Sequence, residues 1–179
     1  MTPDGRTGIA VRYGAAGGDI VSVPLEGAGT VKAIVATPYD EGFPALSPDG
    51  RWLAYASNES NRPEVYLRAL GGAAGKLLVS QNGGSEPVWS RDGRELFYRS
   101  LGPGEPQMMA ARVETGPSLR VLSRTPLFPV NDYEAAVPHA NYDVTPDGRS
   151  FIMVRQGRLS QFVYLQHWTG LLPQQAAAR

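Results

Sequence analysis

A chain of 179 residues with 42% hydrophobic and 19% charged residues has the make-up of a folded domain. It is long enough to bury roughly 70% of the surface its unfolded form exposes. Seventeen cations, fifteen of them scattered arginines, balance seventeen anions, and the isoelectric point is near 6.7, so the charge gives no case for nucleic acid or an anionic membrane. The lack of cysteine removes disulfides, thiol catalysis and thiolate zinc sites, and no apolar run approaches the ~18 residues of a membrane-spanning helix.

Taken in order, the elements are short and apolar, punctuated by 21 glycines and 15 prolines, as many strands joined by tight turns require. A turn at 2–6 leads to strands predicted over 7–13, 19–25 and 31–36. A second group follows at 43–47, 51–57, 64–69 and 76–80. A third lies at 86–90, 95–100, 108–114 and, more loosely, 119–127. The last group is 141–145, 150–155 and 162–168, preceded by a longer loop over 129–139. A tail over 170–179 has room for one helical turn at 174–178. Residues 1–20 lack the charged-then-apolar layout of a signal peptide, and Met1-Thr2 stands where a strand should precede the first turn. That reads as a piece of a longer chain.

The groups share a corner. Thr2-Pro3-Asp4-Gly5-Arg6, Ser47-Pro48-Asp49-Gly50-Arg51, Ser90-Arg91-Asp92-Gly93-Arg94 and Thr145-Pro146-Asp147-Gly148-Arg149 recur with their Asp residues 45, 43 and 55 positions apart. Proline presets φ for the second turn position, Asp suits the third, and Gly5, Gly50, Gly93 and Gly148 accept the positive φ of the fourth. Trp52, Ala54 and Ala56 then alternate with Leu53, Tyr55 and Ser57, and Leu96 and Tyr98 with Glu95, Phe97 and Arg99, leaving both faces largely apolar. A 40–50-residue period of four-stranded units with two apolar faces predicts an all-β fold, a partial β-propeller of about four blades. The blades fall at 1–37, 43–80, 86–128 and 141–169, in one unit of residues 1–169. The first lacks its inner strand and the last its outer one.

Several candidate chemistries fail on the residues themselves. Asp4, Asp49, Asp92 and Asp147 sit one per blade on one rim, too far apart to share a metal, and their side chains suit the turn. Gly71-Gly72-Ala73-Ala74-Gly75-Lys76-Leu77 has three residues between its outer glycines and no hydroxyl after Lys76, so it is no phosphate loop. There is no Gly-x-Ser-x-Gly elbow, no kinase His-Arg-Asp or Asp-Phe-Gly, and only two histidines, His139 and His167. Asn58-Glu59-Ser60 fits a glycosylation sequon, but a solvated loop is the simpler reading. No catalysis, metal or cofactor is expected of this chain.

The stretches Ala45–Tyr55 and Glu86–Leu96 resemble the WD-type propeller repeats of the TolB kind. Ser57-Asn58-Glu59-Ser60-Asn61-Arg62-Pro63-Glu64-Val65-Tyr66, Gly83–Trp89 and Tyr142–Phe151 resemble the C-terminal propeller of bacterial membrane-anchored serine/threonine protein kinases. The repeats are also similar to the non-catalytic propellers of prolyl-oligopeptidase-type peptidases. The kinase resemblance implies a sensing or interaction module outside the cytoplasm. The alternatives are a peptidase's gating propeller and a free-standing periplasmic adaptor. In such wheels the rim opposite the proline corners is the usual binding side. Here it would carry Tyr39, Asp40, Glu41, Asn58, Glu59, Arg62, Ser85, Glu86, Tyr133, His139 and Asn141, a mixture suited to a polar ligand or a peptide end. The partners expected are a protein or small polar ligand, and either further blades or a second copy to cover the two bare sheet faces of an arc.

Overall fold

The computed structural model describes residues 1–15, 17–71, 75–116 and 119–157 in full, and the backbone of 161–166. His167, the tail and residues 72–74 of the glycine loop lie outside the described residues. Fourteen strands make four antiparallel sheets, and no helix occurs among the described residues. Sheet one holds β1 (Thr7–Gly14), β2 (Gly17–Pro24) and β3 (Lys32–Val35). Sheet two holds β4 (Glu41–Leu46), β5 (Trp52–Ser57), β6 (Glu64–Ala69) and β7 (Leu77–Leu78). Sheet three holds β8 (Gly84–Trp89), β9 (Glu95–Ser100), β10 (Gln107–Thr115) and β11 (Leu119–Pro129). Sheet four holds β12 (Tyr142–Val144), β13 (Ser150–Arg155) and β14 (Gln161–Gln166). Each sheet is a simple meander, in which strands pair with their sequence neighbours.

Alternation along the strand that follows each corner decides how the sheets stack. In β5, Leu53 and Tyr55 join Ile20 and Val35 of sheet one, while Trp52 and Ala54 join Trp89, Leu96 and Tyr98 of sheet three. In β9, Phe97 turns the other way and meets Tyr142, Phe151 and Met153 of sheet four. Phe151 stands edge-on to Phe97 at 5.1 Å and to Phe128 at 5.3 Å, the arrangement that ring quadrupoles favour. Three apolar layers thus separate four sheets, and all six residues of β5 are buried because both faces are covered. This is an arc of a propeller whose first and last sheets hold three strands each among the described residues.

The corners are copies of one another in atomic detail. The Asp4, Asp49, Asp92 and Asp147 carboxylates each accept the backbone N–H of the arginine two residues on, at 3.0–3.1 Å. Each also accepts the hydroxyl of the Ser or Thr two residues back, at 2.6–2.7 Å. That hydroxyl in turn accepts the N–H five residues ahead, as in Trp52 N to Ser47 Oγ at 2.9 Å. The glycines sit at φ near +70° and donate back to the first turn residue, as Gly50 N does to Ser47 O at 2.9 Å. Successive corners also touch. Pro3 lies against Gly50, and Pro48 lies 3.7 Å from where a Gly93 Cβ would stand.

The inner strands begin earlier than the sequence reading places them. β4 starts at Glu41 and β8 at Gly84, each running through an X-Pro step. Phe43 and Glu86 hold φ of 53° and 54° at register shifts between Gly42 and Ala45 and between Ser85 and Val88. A bulge at an edge strand tolerates the missing N–H of Pro44 and Pro87, so the pairing runs past each proline.

Candidate binding groove and rim

The inner strands β4, β8 and β12, together with β1, wall a groove of about 890 Å³. Its sides are apolar and proline-rich: Ile9 and Val11 from β1, Phe43 and Pro44 from β4, Pro87 and Val88 from β8. Arg91, Pro48 and Pro146 come from the corners at one mouth, and Pro138 and His139 from the 130–141 connection at the other. The Phe43 N–H donates to Pro138 O at 3.3 Å, so this connection reaches across to sheet two. Arg91 takes the place that proline holds in the other corners. Neither it nor His139 has a side-chain partner among the described residues.

The rim around the groove is bound up in links between sheets. Three glutamates, each 1% exposed, pin the three connections. Glu41 accepts the Thr37 hydroxyl in the link from sheet one to sheet two. Glu64 accepts Gly83 N at 2.9 Å and the Ser80 hydroxyl in the next link, and Arg62 Nε at 2.8 Å. Glu86 accepts Asn141 N at 2.8 Å in the third. Burial pushes the Glu86 carboxyl above the usual carboxylate range, against the pull of the Asn141 N–H and the Arg99 guanidinium. Arg99 Nε stands 3.1 Å from Glu86 Oε1, and its Nη2 donates to Glu134 O at 2.6 Å. The Tyr142 hydroxyl, pushed far up by burial, donates to Glu86 O at 2.8 Å.

No protein-family model matches the chain. It is 43% identical over 65 residues to the uncharacterized peptidase YuxL of Bacillus subtilis and 30% identical over 136 residues to tricorn protease homolog 1 of Streptomyces coelicolor. It spans only 10% and 12% of those two proteins, while the matches take in 35% and 73% of this chain. Among solved structures, TolB from Acinetobacter baumannii superposes over 93% of the chain and 39% of its own length, with a TM-score of 0.68 at 20% identity. The fold is a TolB-like β-propeller.

On this TolB-like arc, the eleven rim residues expected from the sequence do not share one site. Asp40 and Asn58 tie sheets one and two: Asp40 Oδ1 accepts Gly18 N at 2.7 Å, and Asp40 N donates to Asn58 Oδ1 at 3.0 Å. Glu41, Glu59, Arg62, Glu86, Tyr133 and Asn141 also bond within the protein, Glu59 to Lys76 and Tyr133 through its carbonyl to Arg99. Ser85 is buried, and Tyr39 is 45% exposed on the rim. Of the eleven, His139 is the one that lines the groove. Sequence reading missed Arg91 and Phe43 as wall residues and Glu64 as a pin. Arg91 carried a signal, as the one corner without proline, and so did Arg99, a lone cation in an apolar strand.

Proposed function

We propose that this chain is a non-catalytic binding segment of a larger propeller-bearing protein, and that it holds a polypeptide ligand in the groove. The observation that carries this is the contrast between rim and groove. Most of the expected rim residues are spent on bonds within the protein, whereas the groove combines apolar walls with Arg91 and His139, whose side chains have no partner among the described residues. Apolar surface with a few placed polar groups is the ordinary make-up of a ligand site. Peptidases are the favoured class of parent, because both relatives named above are peptidases or protease homologues by name and the chain matches a small part of each. The kinase-type resemblance of Ser57–Tyr66 supports the second reading, an extracytoplasmic sensor propeller. Both readings give the chain the same task, and they differ in the domain it serves. In the test, the purified chain is titrated with a library of short peptides and assayed against peptidyl p-nitroanilides. Binding without hydrolysis, weakened about tenfold by Arg91→Glu, is the expected result. Hydrolysis by the chain, or binding indifferent to Arg91, would overturn it.

A further inference from the structure

We propose that the cleft between sheets one and two is a second binding site, which takes a small zwitterion of the α-amino acid class. Its walls come from β3, the link that follows it, and β5 and β6, away from the groove and from the inner side of β1. The cavity measures about 270 Å³, below the volume of a drug-sized pocket, and so suits a small occupant. Two cations and two carboxylates line it, and they are not matched into two pairs. Lys76 Nζ bonds to Glu59 and lies 4.9 Å from the centre of the Tyr66 ring, so those two charges cancel. Arg68 and Glu41 remain. The Arg68 guanidinium has no carboxylate partner among the described residues, and its bond to Ile34 O is long, at 3.4 Å. Glu41 is 1% exposed and has no cation partner among them either; the Thr37 hydroxyl serves one of its oxygens and the Thr37 N–H, at 3.4 Å, the other.

Tyr55 makes the cavity a site rather than a gap between sheets. It is 2% exposed and lines the cavity, yet its hydroxyl has no hydrogen-bond partner among the described residues, whereas the neighbouring Tyr66 hydroxyl bonds that of Ser60 at 2.5 Å. A buried polar group without a partner is costly, so an orphaned hydroxyl at a cavity wall marks where a ligand atom belongs. Burial first, and then the charge of Glu59, push this hydroxyl up, so it stays protonated and able to donate. A carboxylate is the acceptor that Tyr55 and Arg68 can share, and charge-assisted bonds of that kind are the strong ones. Glu41 then calls for a cation. A simple anion would face the unneutralised Glu41 and a simple cation the unneutralised Arg68, so the lining selects a molecule that carries both charges. Val35 and the Tyr55 ring supply an apolar wall for a short aliphatic side chain.

The probes are L-valine, isovalerate, which lacks its ammonium, and isobutylamine, which lacks its carboxylate, each titrated calorimetrically into the full chain. L-valine should bind, and each single-charge analogue should bind at least about tenfold more weakly. Arg68→Gln should weaken L-valine about tenfold as well. Tyr55→Phe should weaken it several-fold and leave the melting temperature of the free chain unchanged, because the hydroxyl holds nothing there. That variant keeps the test decisive even if Arg68→Gln does not fold. Bound L-valine should move the amide resonances of Thr37, Glu41 and Glu59 and leave those of Arg91 and His139 in place, which separates this cleft from the groove. Isovalerate or isobutylamine binding as tightly as L-valine would overturn the zwitterion assignment. Absence of L-valine binding, binding indifferent to both variants, or shifts confined to the groove would overturn the site.

Discussion

At each corner a hydroxyl, a carboxylate and a glycine share one small job. The Asp49 carboxyl is pushed up by burial, but the Ser47 hydroxyl and the Arg51 side chain and N–H overcome this and hold it at about 2. Asp4, Asp92 and Asp147 are lowered chiefly by the hydroxyls of Thr2, Ser90 and Thr145. A carboxyl held lower in the folded state adds stability above its unfolded pKa of about 3.9, and that stability is lost as pH falls through the folded value. Melting temperature should therefore drop between about pH 4 and pH 2, and Asp49→Asn should flatten part of that slope; an unchanged slope would contradict it. Glycine exchange grades the corners. Gly93→Val should cost about 1–2 kcal/mol for holding a side chain at φ +69°, because a Cβ there would meet Pro48 only at an ordinary contact distance of 3.7 Å. Gly50→Val should cost more, because a Cβ there would come within 2.7 Å of Pro3. Equal melting of the two variants would mean that successive corners do not touch.

Among the elements, the connection from sheet three to sheet four is where sequence reading reached least far. Arg99→Met should destabilise by about 3–5 kcal/mol, because it leaves Glu86 buried without its counter-charge. It should also speed amide exchange in the 130–141 connection, whose Tyr133 and Glu134 carbonyls Arg99 holds. Denaturant unfolding checks the first and hydrogen exchange the second, and a loss under 1 kcal/mol would contradict it. The corners were legible because their chemistry is local: five residues carry the turn, the carboxylate bonds and the glycine. The strand alternation was legible for the same reason. Glu86 was read as a rim ligand because its partners are remote. Its bond to Asn141 crosses 55 positions, and nothing near either residue announces it. β4 and β8 start two residues before the 43 and 86 expected from the sequence, because the bulges at Phe43 and Glu86, which take up positive φ, carry the pairing back to Glu41 and Gly84, and no local signal marks such a bulge.

For the molecule as a whole, the two end sheets differ from the interior ones. The positions of Leu53 and Tyr55, or of Leu96 and Tyr98, correspond in sheet one to Gly8 and Ala10, followed by Arg12, which pairs with Asp19 at 2.8 Å. At the other end, Phe151 and Met153 pack on sheet three, and Ile152 points away, 41% exposed. The small, ion-paired face is the less adhesive of the two. Self-association should therefore run through sheet four, and Ile152→Lys should shift sedimentation towards the monomer; an unaffected oligomer would place the contact elsewhere. Every one of these expectations presumes corners arranged as neighbouring stations on one rim of a wheel. Nuclear Overhauser contacts measure that directly on the isolated chain. Cross-peaks between the Pro3 δ-protons and Gly50, and between the Pro48 δ-protons and Gly93, are the expected result. Assigned spectra in which neither pair is in contact would contradict the propeller arc.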